Sequence, residues 1–90
     1  MKMTVESDKI VFSGVYSLES IKEYSEQINS GNHAPSTIDV SALIGAGAPL
    51  FALFLQVVKK SRVLSVVGAS VELIDMAKLY GVDQVLTFEA

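Results

Sequence analysis

Residues 40 to 58 read Val40-Ser41-Ala42-Leu43-Ile44-Gly45-Ala46-Gly47-Ala48-Pro49-Leu50-Phe51-Ala52-Leu53-Phe54-Leu55-Gln56-Val57-Val58, nineteen residues without a charge between Asp39 and the pair Lys59-Lys60. In length this matches the roughly 18 to 20 apolar residues that cross a bilayer. Gly45, Gly47 and Pro49 interrupt it in the middle, where a spanning helix needs unbroken backbone hydrogen bonding. The stretch therefore reads as a buried strand ending near Ser41, a loop of small residues, and a helix that opens at Pro49, a favoured residue for a first helical turn. That is one unit of an α/β protein.

Working outward, Met3 to Val5 and Ile10 to Ser13 are β-favouring runs separated by Glu6-Ser7-Asp8-Lys9, an antiparallel hairpin with a polar turn. Gly14 closes the second run. Ser17 is placed to cap a helix that continues to about Ser30, with Glu19 at its positive end. Leu18, Ile21, Tyr24 and Ile28 make the apolar stripe of that helix. A loop at Gly31-Asn32-His33-Ala34-Pro35 leads to the strand Thr37 to Ser41. The second helix runs from Pro49 to about Lys60. Arg62 to Val67 has the near-continuous apolar character of a parallel strand covered by helices. Ser70 caps a third helix whose inward stripe is Leu73, Ile74, Ala77 and Tyr80, Gly81 ends it, and Gln84 to Phe88 is the last strand. The order β-β-α-β-α-β-α-β calls for right-handed crossovers and a mostly parallel sheet with an N-terminal hairpin and helices packed on it.

Ninety residues at 50% hydrophobic content describe one small domain, 1–90, able to bury a core. With no cysteine there is no disulfide framework and no thiolate nucleophile or metal ligand, as suits a cytoplasmic protein. A net charge of −3 with seven Lys and Arg argues against nucleic acid as a partner. No continuous apolar stretch near the N-terminus reads as a secretory signal.

The order of elements, Gly14 after the hairpin, the strand Ile38-Asp39-Val40-Ser41, the loop into Leu50 and the ending Ala77-Lys78-Leu79-Tyr80-Gly81-Val82 together resemble the STAS domain family. That family includes anti-sigma factor antagonists and the MlaB-type subunits of bacterial lipid-asymmetry ABC transporters, and the close of the third helix resembles the MlaB type in particular. The resemblance covers nearly the whole chain and implies a non-enzymatic interaction module that binds its partner through the second helix and the loop before it. Where the family carries Asp, a phosphorylatable Ser or Thr, a small residue, Gly and Leu, this chain has Ala46-Gly47-Ala48-Pro49-Leu50, with one residue fewer in the loop. Gly47 stands at the phosphoacceptor position and has no hydroxyl, so the usual charge switch has no acceptor.

Gly45-Ala46-Gly47 between strand and helix has the outline of a phosphate cradle. It lacks the lysine of a Walker loop, the third glycine of a dinucleotide fingerprint and any basic neighbour in sequence. The loop Gly45 to Ala48 therefore reads first as a tight turn, with nucleotide binding and partner docking as the functional readings set against it. Asp39 and Ser41 read as residues that tie down their own loop by side-chain-to-backbone hydrogen bonds. His33 is the only histidine, so neither a catalytic constellation nor a metal site is assembled, and no cofactor is implied. On the second helix, Leu50, Leu53, Phe54, Val57 and Val58 fall on one side, toward the sheet. Phe51, Ala52, Leu55, Gln56 and Lys59 fall on the other. A helix apolar nearly all round is covered by more protein or docks on a partner. The expected docking surface is thus Gly45, Ala46, Gly47, Ala48, Phe51, Ala52 and Leu55. By the resemblance its partner is the ATPase of a phospholipid transporter at the inner membrane, or alternatively a kinase-like anti-sigma regulator. A homodimer through the second helix is a further alternative.

Overall fold

The computed structural model describes residues 1–6, 8–31, 35–61 and 64–89, the side chains of 60 and 61 aside. A five-stranded sheet in the order β1-β2-β3-β4-β5 is formed by β1 (Lys2–Glu6), β2 (Lys9–Val15), β3 (Thr37–Ile44), β4 (Leu64–Val67) and β5 (Leu86–Glu89). β1 and β2 pair antiparallel, Lys2 opposite Ser13 and Glu6 opposite Lys9, and the remaining neighbours pair parallel. The helices α1 (Leu18–Ser30), α2 (Ala48–Ser61) and α3 (Val71–Leu79) connect successive parallel strands. This is the expected α/β architecture in the expected order.

Each crossover steps to the adjacent strand in the same direction, and repeating a right-handed crossover in one direction lays every helix on the same face. The burial pattern follows. Ile10 and Phe12 on β2, Ile38 and Val40 on β3, Leu64 and Val66 on β4, and Leu86 on β5 are buried, and they form one core with Ile21 and Tyr24 of α1, Leu53, Phe54 and Val57 of α2, and Leu73 and Ala77 of α3. The alternate residues, among them Lys9, Thr37, Asp39, Ser65 and Thr87, lie on the opposite face and are half-buried or exposed. The β4 run is accordingly covered by helices on one face: Ser65 and Val67 face away from the core.

Local signals set the helix starts. Ser17 has extended backbone and its Oγ accepts from the Ser20 N–H at 3.5 Å, and Ser70 Oγ accepts from the Leu73 N–H at 3.1 Å. Gly81 takes the left-handed conformation after α3, with a short 3-10 turn Val82–Gln84 following it. Strand ends differ from expectation. Gly14 does not close β2, which continues through it to Val15, and β3 runs past Ser41 to Ile44, because the two extensions pair with each other: Ser13 with Ala42, Gly14 with Leu43, Val15 with Ile44. Leu18, expected in the inward stripe of α1, is 49% exposed at the first turn. Among the described residues no helix is long and apolar enough to cross a membrane.

Candidate functional site

The carboxyl ends of β2 and β3 are where an open α/β sheet presents its loops, and here that end is apolar. Val15 and Ile44 stand opposite each other at 63% and 65% exposure. The Tyr16 N–H donates to the Ile44 carbonyl at 2.8 Å, which brings the β2–α1 connection against the β3–α2 loop. The Tyr16 side chain lies under that loop. A Cβ built on Gly47 would fall 2.9 Å from Tyr16 Oη and 3.0 Å from its Cζ, closer than side chains pack, so Gly47 is the residue that lets the ring in. Burial in this contact raises the Tyr16 phenol above its ordinary pKa. α2 begins at Ala48, one residue before Pro49, and the Leu50 N–H donates to the Gly47 carbonyl at 3.0 Å in its first turn.

Of the residues assigned to docking, Gly45, Ala48 and Ala52 are exposed, and Ala46, Gly47 and Leu55 are half-buried. Phe51 is not part of that surface. It is 3% exposed, its ring meets Phe54 edge-on at 6.0 Å between centroids, and Tyr80 covers it at 5.9 Å. A helix with one wet and one dry side would expose Phe51, but α2 is the middle helix of three and is covered from both flanks. Its free stripe narrows to Ala48, Ala52 and Lys59, with Leu55 at the border. On the other flank a groove of about 450 Å³ separates α2 from α1, lined by Leu18, Lys22, Pro49, Ala52 and Gln56, and Ser25 Oγ donates across the helix pair to Gln56 Oε1 at 2.9 Å.

Asp39 and Ser41 come together as the sequence suggests. Between Asp39 and Ala42 β3 has one residue more than β2 has between Val11 and Ser13, a bulge that frees a backbone N–H. The Asp39 carboxylate accepts that N–H, from Ser41, at 2.9 Å and the Ser41 hydroxyl at 2.6 Å. These two hydrogen bonds, with the Lys9 ammonium at 3.9 Å as a weaker contribution, hold the Asp39 carboxyl below its ordinary pKa. Gly68 meets Ser41 from β4: at φ +75° it fits where a Cβ would lie 2.4 Å from the Ser41 Cβ. Both residues are thereby engaged in their own strand end.

Tyr16 and the exposed Val15 escaped the sequence reading, because a two-residue connection after Gly14 gave no sign of packing under a loop thirty residues on. His33 lies outside the described residues. Among those described, no cluster of His, Asp and Glu suits a metal ion. The side chain against Gly47 is an uncharged phenol, and Lys59 is at the far end of α2. In comparison with known proteins, no family model matches the chain and no curated protein is significantly similar to it.

Proposed function

We propose that this chain is a non-enzymatic STAS-like interaction module, an MlaB-like accessory subunit that docks on the cytoplasmic ATPase of a phospholipid ABC transporter and is held at the inner membrane only through that partner. The observation that carries the reading is the uncharged end of the molecule, where exposed Val15 and Ile44, the loop Gly45 to Ala48 and the narrow α2 stripe of Ala48 and Ala52 adjoin one another in chain and register. No charge occurs in the chain from Val40 to Val58, so this end offers a partner apolar contact and backbone hydrogen bonds rather than ion pairs. Small residues at Gly45, Ala46, Gly47 and Ala48 allow close approach of another backbone. By binding one conformation of the ATPase more tightly than another, the module shifts its population and so its activity.

The test is calorimetric titration of the recombinant transporter ATPase with this chain and with its Ile44→Glu and Ala52→Glu variants. Binding by the native chain, lost in both variants at unchanged melting temperature, is the expected outcome. No binding to the ATPase, together with capture of a kinase-like anti-sigma regulator, would transfer the same surface to a signalling role that runs without a phosphoacceptor.

A further inference from the structure

β1 is an edge strand: among the described residues nothing pairs with it on the side away from β2. Its hairpin leaves two residues between Glu6 and Lys9, which makes Glu6–Lys9 the closing hydrogen-bonded pair. Thr4–Val11 and Lys2–Ser13 are then the next pairs that exchange backbone bonds, so Met3 and Val5 direct their N–H and C=O groups outward. Met3 and Val5 also share the core-side face with their partners Phe12 and Ile10, while Lys2, Thr4 and Glu6 share the open face with Lys9.

We infer that β1 pairs antiparallel with β1 of a second copy about a two-fold axis through Thr4, joining the two five-stranded sheets into one. In this register Met3 faces Val5 of the partner and Val5 faces Met3 of the partner, so the outward backbone groups meet in hydrogen-bonded pairs. Lys2 faces Glu6 of the partner and Glu6 faces Lys2 of the partner. Only this register engages all five residues of the strand and sets opposite charges against each other at both ends. A shift by two residues in either direction loses part of the ladder and leaves a charge opposite Thr4. The pairing also continues a ladder already present in the protomer, where Lys9 Nζ lies 3.9 Å from both Glu6 and Asp39 carboxylates. On the core side, Val5 is 41% exposed beside a cavity of about 140 Å³ lined by Met3, Val5, Ile10, Ile28 and Pro35. The partner's Met3 and Val5 arrive on that face and cover the exposed Val5 side chain. The opposite edge, β5, has four residues and one charge, Glu89, with no basic residue to oppose it.

Light scattering coupled to size exclusion, run over a concentration series up to millimolar, reads the state directly. The native chain is expected to rise from monomer toward dimer. Lys2→Glu sets glutamates opposite each other at two symmetry-related places and is expected to weaken the dimer about tenfold or more. Glu6→Lys does the same with lysines. An equimolar mixture of the two variants restores association, since every cross-strand pair in the mixed dimer is again of opposite sign. Val5→Pro removes an outward N–H that β2 does not use and is expected to yield a monomer whose circular dichroism is native. A native chain monomeric at every concentration, a dimer indifferent to Lys2→Glu and Val5→Pro, or two variants that fail to associate on mixing would each overturn the pairing.

Discussion

Asp39 spends both its hydrogen-bonding capacity and its charge on the β3 bulge. Removing it leaves the exposed Ser41 N–H to water, and Asp39→Ala is expected to cost about 0.5–1 kcal/mol in urea denaturation at neutral pH. Because the folded carboxyl titrates below the unfolded one, its contribution is present above the unfolded pKa and fades as pH falls through the folded value. Denaturation of wild type and Asp39→Ala should therefore converge in acid, and a difference that persists unchanged there would contradict the assignment. Gly47 is a second residue whose role is one contact. In Gly47→Ser the new Cβ displaces the Tyr16 ring, so spectrophotometric titration should show the Tyr16 phenol returning downward toward its ordinary pKa. On the proposed STAS-like reading the same side chain places a hydroxyl where that family carries its phosphoacceptor, and incubation with a STAS-directed kinase should label Gly47→Ser and leave the native loop unmodified. Ser41, whose hydroxyl is held by Asp39, is expected to remain unlabelled in both.

At the scale of the element, α2 is a core helix with a narrow wet stripe. Leu50, Leu53, Phe54 and Val57 meet the sheet, and Phe51 is enclosed by Phe54 and Tyr80. Truncating a buried phenylalanine costs about 3–5 kcal/mol, a large share of the roughly 5–15 kcal/mol that holds a domain folded. Phe51→Ala should thus lower the melting temperature sharply, whereas Ala52→Glu, one residue on and exposed, should shift it little. Equal effects of the two would mean that the helix is rotated from the phase described. The bulge sets a comparable demand on the β4–α3 turn. Gly68→Ala must accept both a left-handed backbone and a Cβ inside the van der Waals radius of the Ser41 backbone, whose Cα would lie at 2.7 Å, and is expected to be among the most destabilising single-methyl additions in the chain.

Over the whole molecule, one helical layer on one face of the sheet leaves the other face to water, and stability is distributed accordingly. Native-state hydrogen exchange at concentrations that keep the chain monomeric should be slowest at the amides of Phe12, Ile38 and Val66, which lie in interior strands with fully buried side chains, and faster in the edge strands β1 and β5, each paired on one side only. Substituting Ser65 by Thr on the open face should change stability by no more than about 0.5 kcal/mol.

What the sequence determined by itself was everything written in local contacts: the order of elements, the caps at Ser17 and Ser70, the left-handed Gly81, and the Asp39–Ser41 pair two residues apart. Each rests on hydrogen bonds or backbone preferences within a turn, so neighbouring residues suffice to specify it. The tertiary structure decided where β2 and β3 end, since Val15 and Ile44 are strand only because each pairs with the other. It decided that Phe51 is core, since that depends on Tyr80, almost thirty residues away. It decided which face of the sheet is wet, because an apolar strand reads the same with one covered face or two, and only the order of strands sets the side on which the helices land.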